Sequence, residues 1–200
     1  TLWLASDDEE LQLAQQKANW FTARGWAAEM LSASDLVSLE PCLRPGLAGA
    51  LRVKGDALLY PPKAAALLLS QSGAKHIHQR VVQVDTGHIK LADGSAWSGA
   101  AVVLAAGLAC RQWVPHLSGK QGLLAITERY PTSVQHQLIE LGYIKNAHLH
   151  DQTTVAFNLQ ARPTGQWLIG SSRQPGCEDG HVDLDLLANM LRRACEFVPA

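Results

Sequence analysis

The chain has 200 residues, enough for one large domain or two small ones. With 47% apolar and 18% charged residues, its composition is that of a globular protein and not of a disordered or collagen-like one. Seventeen basic and eighteen acidic residues leave a net charge of −1, which excludes a basic surface for nucleic acid or anionic lipid. The longest apolar stretch, Ala100 to Cys110, is shorter than the roughly 20 residues that a membrane-spanning helix needs. We therefore expect neither a nucleic-acid partner nor a transmembrane segment.

The cysteines are far apart and form no CxxC pair: Cys42, Cys110, Cys177 and Cys195. This spacing gives no local sign of a thiol zinc site or a redox dithiol, and reduced thiols are typical of the cytoplasm. The sequence therefore predicts a cytoplasmic protein. Because the chain opens at Thr1 rather than Met and stops just after a helical pattern, we expect it to be a piece of a longer protein.

The first part of the chain predicts short strands around an amphipathic helix. Ser6 and Glu9 have the spacing of a capping box, in which each side chain binds a free backbone N–H at a helix start. The helix carries one apolar stripe, at Leu11, Ala14, Ala18 and Phe21. Gly25 ends the helix. The strands are predicted at Thr1–Ala5, Ala48–Lys54 and Ala57–Tyr60.

The middle of the chain predicts a helix followed by a β-meander. Pro61 and Pro62 open the helix, where a missing N–H costs no hydrogen bond, and Gly73 ends it. From Lys75 onward the apolar pattern has period two, with turns at residues 85–87 and 93–94. The meander leads into Ala101–Leu104, an apolar run that predicts a strand buried on both faces.

The last part predicts a sheet with flanking helices. Strands are expected at Gly122–Thr127, Thr154–Gln160 and Gln166–Ser171, the last two as a hairpin. One helix is expected near Ser133–Leu141, capped by Thr132 with Gln135. A final amphipathic helix contains Leu187, Met190, Leu191 and Ala194.

Two histidine pairs are the clearest local candidates for metal binding. His76 with His78, and His148 with His150, would each share one face of a strand and could offer two imidazoles to zinc or copper. A metal site needs further ligands, and no third motif supplies them. We predict no metal and interpret the pairs as solvated histidines, with a metal protein as an alternative. No nucleophile elbow, P-loop or G-x-G-x-x-G fingerprint occurs.

The strand that leads to Arg162 is a candidate binding surface. Its apolar residues are Val155, Phe157 and Leu159, and they alternate with Ala156, Asn158, Gln160 and Arg162. One face would therefore pack and the other would be polar. A polar sheet face can look into solvent or roof a ligand cavity, and the pattern alone leaves both interpretations open.

Several segments, taken in order, resemble the FAD-dependent D-amino-acid oxidase family, which includes glycine oxidase, sarcosine oxidase and D-amino-acid dehydrogenase. They are Glu40-Pro41-x-Leu43, Gly55 to Pro61, Val102 to Gly107, Gly122 to Thr127, Val155 to Arg162 and Gly165 to Ser172. The resemblance covers the middle of the family's sequence. It implies a flavoprotein oxidoreductase in which FAD carries out amino acid oxidation, with a small amino or imino acid as substrate.

The resemblance also implies site residues. The backbone of Val81 and Val82 would hold the adenine, and the turn Ala105, Ala106 and Gly107 would lie against the phosphate and ribose side of FAD. Asn158, Gln160 and Arg162 would face the substrate, with Asn158 where the family has an aromatic residue. No catalytic residue is assigned, since the flavin supplies the chemistry. Without the hydroxyl of the aromatic residue that Asn158 replaces, the resemblance does not account for carboxylate recognition or pocket closure.

Two motifs of the family are missing. Its glycine fingerprint would precede Thr1, and its glycine-arginine-proline segment would follow Ala200. Because the pyrophosphate needs helix-terminal amides, we expect this stretch alone to bind FAD weakly or not at all and to be inactive. Unpaired strand edges and an exposed cofactor floor would favour self-association of the isolated stretch.

The predicted fold class is α/β with α+β character. A partial FAD-binding domain with a β-meander is expected at residues 62–110. The substrate domain, built on a mixed, mainly antiparallel sheet with flanking helices, would comprise residues 1–61 and 111–200. The predicted function is oxidation of a D-amino acid, glycine or sarcosine by hydride transfer to FAD. The alternative is a non-catalytic sheet domain that binds a ligand or partner.

Overall fold

The computed structural model describes residues 1–130, 134–142 and 152–199. The strands in chain order are β1 (Leu2–Ala5), β2 (Ala28–Ser32), β3 (Gly49–Val53), β4 (Val81–Asp85), β5 (His88–Leu91), β6 (Ala96–Ser98), β7 (Lys120–Gln121), β8 (Leu124–Arg129), β9 (Leu138–Glu140), β10 (Thr154–Ala161) and β11 (Gln166–Pro175). The helices are α1 (Asp8–Thr22), α2 (Ala33–Leu39), α3 (Pro61–Gln71) and α4 (Leu184–Phe197), and a 3-10 helix spans Gly107–Gln112. The chain divides into unit 1, residues 1–57 and 119–200, and unit 2, residues 58–118.

Unit 1 is built on one mixed sheet. Among the described residues its strands run in the order β2-β3-β1-β9-β10-β11, and both β7 and β8 pair with β11. All pairs are antiparallel except β1 with β9, which is parallel. The predicted mixed, mainly antiparallel sheet with flanking helices is therefore confirmed.

Helices cover this sheet on both faces. The last turn of α4 packs on one face, where Ala194 and Phe197 join a core with Phe157 and Leu159 of β10. The Phe157 and Phe197 rings stack with centroids 4.6 Å apart. On the other face, α1 packs its predicted stripe against β1 and β3. The stripe is confirmed, with Ala14 and Ala18 buried in that core and Leu11 and Phe21 partly buried against it.

Two local predictions for the first sixty residues are wrong. The cap of α1 is Asp7, whose carboxylate accepts from Glu10 N–H at 2.8 Å, and Glu10 in turn accepts from Ser6 N–H at 2.8 Å. The cap thus lies one residue later than expected, because the extended backbone of Asp7 places a carboxylate at the positive end of the helix. Residues 57–60 form no strand, since no neighbouring strand pairs with them in the described chain.

The helix predicted near Ser133–Leu141 is also wrong within the described residues. Residues 134–137 are irregular, and Leu138–Glu140 form β9 between β1 and β10. Leu138 and Ile139 pair with Leu159 and Asn158. Two neighbouring strands thus override the local helical pattern. The proposed cap, Thr132, lies outside the described residues.

Unit 2 contains α3 and a small antiparallel sheet. Strands β4, β5 and β6 pair in sequence, which confirms the meander, and α3 begins at Pro61 as predicted. The buried strand expected at Ala101–Leu104 is absent, and the Val103 side chain is 85% exposed. An apolar run becomes a buried strand only where other strands flank it. No strand of the described chain pairs with residues 101–104.

Candidate functional site

Unit 2 encloses a cavity of about 430 Å³. Its wall brings together residues from the first strand of the meander and from the turn before the 3-10 helix: Arg80, Val81, Val84, Val102, Ala105 and Ala106. This volume falls within the range of about 300–1,000 Å³ typical of small-molecule sites, and the wall is mostly hydrocarbon. The structure therefore places Val81, Ala105 and Ala106, three of the predicted cofactor residues, around one space.

The strand β4 has no partner strand along one of its edges in the described part of the chain. It lies at the edge of the three-stranded sheet, so its outer N–H and C=O groups face no other strand of the described chain. The pairing with β5 shifts register between Val81 and Gln83, which places a β-bulge at Val82. A bulge leaves its extra residue outside the ladder. Val82 is also exposed, and it is not one of the residues that line the cavity.

Ala105 and Ala106 of the cavity wall lead directly into the 3-10 helix, whose first residue, Gly107, is not one of the lining residues. Gly107 has φ +56°, and a Cβ built on it would meet no atom within 4 Å, so the space in front of it is open. The Cys110 thiol accepts a hydrogen bond from Ala106 N–H at 3.3 Å. The backbone oxygen of Cys110 accepts from Trp113 N–H at 2.9 Å, and Trp113 also lines the cavity. Cys110 thereby connects Ala106 with Trp113, and no sequence motif predicted this connection.

These features fit the adenosine end of FAD. A planar ring needs hydrocarbon surfaces above and below it and hydrogen-bonding groups along its edge. The cavity supplies the surfaces through Val81, Val84 and Val102, and the edge strand supplies the backbone groups. The open space before Gly107 allows a ligand to approach the main chain closely. The residues present are therefore compatible with that group.

The sheet of unit 1 carries two of the predicted substrate residues, Asn158 and Gln160, on its half-covered face. The strand register defines one row of side chains across that face: Met30, Leu51, Trp3, Ile139, Asn158, Gly170 and Leu124. Helix α1 covers the end of the row that contains Met30, Leu51 and Trp3. Leu124, at the other end, is 60% exposed. Asn158 therefore lies where the covered half of the row passes into the open half.

A second row lies beside the first on the same face. Gln160 of β10 pairs with Leu168 of β11, and Leu168 pairs with Ile126 of β8. Ile126 is exposed to the same extent as Leu124. The prediction of a polar face on β10 is thus incomplete, because β8 adds two exposed aliphatic side chains. Their alternation along the strand was visible in the sequence, but only the register shows which face they share with Asn158.

Arg162 lies just beyond the end of β10. The strand ends at Ala161, and Arg162 N–H donates to the Gln166 oxygen at 2.8 Å at the start of the hairpin turn. Gly165, with φ +85°, completes this turn by donating its N–H to the Arg162 oxygen at 2.9 Å. Asn158 and Gln160 therefore share a strand face, whereas Arg162 belongs to the turn.

An ion pair between the buried Glu140 and the partly exposed Arg193 fixes β10 from the other side. Glu140 is buried, and its Oε1 accepts from Phe157 N–H at 2.5 Å, directly before Asn158. Its Oε2 accepts from Nε of Arg193 on α4 at 3.0 Å, and Arg193 Nη2 makes a second contact with the same oxygen. These bonds tie the helix, β9 and β10 together. The position of Asn158 is therefore determined by a charged network as well as by the ladder.

The histidine pairs gain no further ligands in the described part of the chain. The rings of His76 and His78 do come together, with centroids 4.2 Å apart. Across residues 1–130, 134–142 and 152–199, no group of three or more His, Cys, Asp or Glu side chains is arranged to hold a metal ion. His148 and His150 lie outside those ranges. None of the helices within them is long and apolar enough to cross a bilayer.

The mixed sheet of unit 1 and the meander of unit 2 define the fold class of the FAD-dependent oxidases. The family model for DAO, FAD dependent oxidoreductase, matches residues 1–200, and the chain belongs to that family. FAD is the cofactor of the family. The comparison with curated proteins finds no match.

Solved structures share the fold at low sequence identity. Glycine oxidase from Geobacillus kaustophilus has a TM-score of 0.77 and 22% sequence identity. The alignment covers 99% of this chain and 54% of the glycine oxidase chain. L-proline dehydrogenase from P. horikoshii has a TM-score of 0.78 and 16% identity, covering 99% and 55%. L-alpha-glycerophosphate oxidase from Mycoplasma pneumoniae, a structure with FAD bound, has a TM-score of 0.77 and 16% identity, covering 100% and 56%. The chain thus spans about half the length of these structures.

Proposed function

We propose that the full-length protein oxidises a small amino or imino acid, of the D-amino acid, glycine or sarcosine class, and uses FAD as the oxidant. The observation that carries this proposal is the cavity of unit 2, where Val81, Ala105 and Ala106 meet beside an edge strand with free backbone groups. Membership of the FAD dependent oxidoreductase family supports it. Two proteins of similar structure, a glycine oxidase and an L-proline dehydrogenase, favour an amino or imino acid as substrate.

In this proposal the two units would have different roles, one in FAD binding and the other in substrate binding. In this proposal residues 62–110 belong to the FAD-binding domain, and residues 1–61 and 111–200 belong to the substrate domain. The backbone of Val81 and Val82 pairs with the adenine edge, and Ala105, Ala106 and Gly107 contact the ribose and phosphate side. The location of unit 2 at residues 58–118 supports this division.

On the substrate side, Asn158, Gln160 and Arg162 would orient the amino acid. FAD, when bound, would supply the acceptor for a hydride from the carbon that carries the substrate nitrogen. The substrate nitrogen would give up a proton to bulk water as the product, which has a C=N bond, leaves the site. Protein groups therefore need to align that C–H bond and exclude water, and no acid–base pair is required of this chain.

Absorbance of the purified full-length protein tests the proposal. We expect a yellow protein whose flavin band bleaches under anaerobic conditions when D-alanine, glycine or sarcosine is added. A colourless protein that gains no flavin band on addition of FAD would contradict the cofactor assignment. A yellow protein that none of these compounds reduces would contradict the substrate class.

A matched pair of variants tests the adenine contact. Val82→Pro removes the backbone N–H, whereas Val82→Leu keeps it and has similar bulk. We expect the dissociation constant of FAD, measured by fluorescence titration of the apoprotein, to rise about tenfold in the proline variant, which corresponds to one lost hydrogen bond. The leucine variant should bind as the parent does. Equal affinities of the two variants, with unchanged circular dichroism, would show that Val82 does not contact the cofactor.

A further inference from the structure

The strand β10 lacks ladder partners at Phe157. Its pairing with β11 is irregular between Val155 and Asn158, where a β-bulge gives β10 one residue more than its partner. Its pairing with β9 includes only Asn158 and Leu159 in the described chain. Phe157 therefore lies outside both ladders, although it is fully buried. Its N–H needs an acceptor of another kind, because a buried N–H without one is costly.

A carboxylate takes the place of the missing ladder bond. Oε1 of Glu140, the last residue of β9, accepts from Phe157 N–H at 2.5 Å. Leu138, two residues earlier, lies in the core with the last turn of α4, so Glu140 points to the face of the sheet that α4 covers. Asn158 pairs with Ile139 and points to the opposite face. Glu140 therefore holds the strand at the residue before Asn158, from the face that Asn158 does not use.

Arg193 of α4 keeps this carboxylate in place. Glu140 is only 2% exposed, so its charge needs compensation within the fold. Arg193 Nε donates to Glu140 Oε2 at 3.0 Å, and Nη2 contacts the same oxygen. Because Arg193 binds Oε2, Oε1 remains with Phe157 N–H. A chain of charge-assisted hydrogen bonds thus runs from α4 through Arg193 and Glu140 to the backbone of β10.

We propose that Glu140 and Arg193 are positioning residues of the proposed substrate site. This inference rests on the amino-acid oxidation proposed above and adds one residue of β9 and one of α4 to its machinery. Both act from the opposite face of the sheet and do not contact the substrate. They hold the Phe157 backbone, so that Asn158 and Gln160 keep the orientation that aligns the C–H bond of the substrate. A displacement of about 1 Å in such an arrangement is enough to slow a reaction strongly.

Two matched pairs of variants of the full-length holoenzyme test this inference by stopped-flow reduction of the flavin. Glu140→Leu removes the acceptor, whereas Glu140→Gln keeps an oxygen for Phe157 N–H. Arg193→Met removes the cation, whereas Arg192→Met alters the neighbouring exposed arginine, which binds Asn189 on the same helix. With whichever of D-alanine, glycine and sarcosine reduces the parent fastest, we expect Glu140→Leu and Arg193→Met to lower the limiting rate about tenfold and to change the substrate dissociation constant less than about threefold. The two controls should stay within about twofold of the parent in both constants.

Hydrogen–deuterium exchange of the same variants follows the strand without turnover. Peptides covering residues 154–161 should exchange faster in Glu140→Leu and Arg193→Met than in the two controls, at an unchanged ratio of FAD to protein. If Arg193→Met does not fold, the Glu140 pair decides alone.

The outcomes separate this inference from the function on which it rests. Faster exchange of β10 with limiting rates equal to those of the parent would overturn the inference, because the network would then be structural only, and would leave amino-acid oxidation standing. Equal losses of rate in Arg193→Met and Arg192→Met would also overturn it. A parent holoenzyme that none of the three amino acids reduces would instead refute the proposed function, and this inference with it.

Discussion

Glu40 is a fully buried carboxylate that connects two distant segments of unit 1. It follows α2 directly, before Pro41, and its Oε1 accepts from the N–H groups of Gln135 and His136 at 2.9 and 2.7 Å. The same oxygen lies 2.7 Å from Nδ1 of His136. The Glu40-Pro41-x-Leu43 pattern that carried part of the family resemblance therefore has a structural role.

Replacement of Glu40 should measure this role. Glu40→Ala leaves two backbone N–H groups and an imidazole without their acceptor, so we expect a loss of about 3 kcal/mol in the free energy of unfolding by urea denaturation. Glu40→Gln keeps an oxygen at the same place and should lose clearly less. Equal losses in the two variants would show that the charge matters and the hydrogen bonds do not.

Cys42 is a half-buried thiol beside that carboxylate. Burial raises its pKa to about 11, and the negative charge of Glu40 adds to the rise. The Cys42 thiol also donates a hydrogen bond to Glu40 Oε2 at 3.8 Å, which favours the neutral form. Because only the thiolate reacts with alkylating reagents, this thiol should be slow to react at neutral pH.

The pH profile of alkylation tests this environment. In a Cys177→Ser, Cys195→Ser background, which lacks the two exposed thiols, we expect the Cys42 alkylation rate, followed by peptide mass spectrometry, to rise with a midpoint near pH 11. Glu40→Gln should lower the midpoint because it removes the nearby negative charge. A midpoint close to that of a free cysteine, about 8.5, would contradict the buried arrangement.

At the scale of the elements, the turn before the 3-10 helix depends on Cys110. Its buried thiol binds Ala106 N–H, and its backbone oxygen binds the Trp113 and Val114 N–H groups. The thiol bond orients the Ala105 to Gly107 turn, and in the proposed function that turn contacts the cofactor. In that proposal Cys110 would act on the cofactor through the turn, as a positioning residue.

A pair of substitutions separates positioning from packing. Cys110→Ala removes the acceptor, and Cys110→Ser replaces the thiol with a hydroxyl that can also accept. We expect the alanine variant to bind FAD about three- to fivefold more weakly in a fluorescence titration, and the serine variant to recover most of that loss. If both variants bind FAD equally weakly, the thiol contributes only packing.

The elements also show what the sequence could predict. Periodic patterns located α1, α3, α4, the meander and the β10–β11 hairpin, because the apolar repeat and the turn that indicate each element lie within one continuous stretch of sequence. The pattern at Ser133–Leu141 indicated a helix. Leu138–Glu140 form a strand instead because they pair with β1 and β10, which come from distant parts of the chain. The apolar run at Ala101–Leu104 indicated a strand, and pattern alone could not show that no described strand pairs with it.

At the scale of the whole chain, the candidate site was predictable in part. The family resemblance proposed Val81, Ala105 and Ala106, and the structure brings these three to one cavity. The family resemblance also placed Asn158 and Gln160 on a common strand face, and both lie on β10. The position of Leu124 and Ile126 on the same sheet face as Asn158 depends on the pairing of β8 with β11. This pairing joins separate strands, and no local pattern encodes it.

Hydrogen–deuterium exchange of the full-length protein, with and without FAD, tests most directly whether unit 2 holds the adenosine end of the cofactor. Edge-strand amides exchange readily while they face solvent, and they are protected once a ligand binds them. We predict that FAD slows exchange in peptides covering residues 79–84 and 101–113. Residues 93–98 of the meander do not line the cavity, so they serve as an internal reference and should change little. Binding of FAD without added protection in either of the first two stretches would contradict the account.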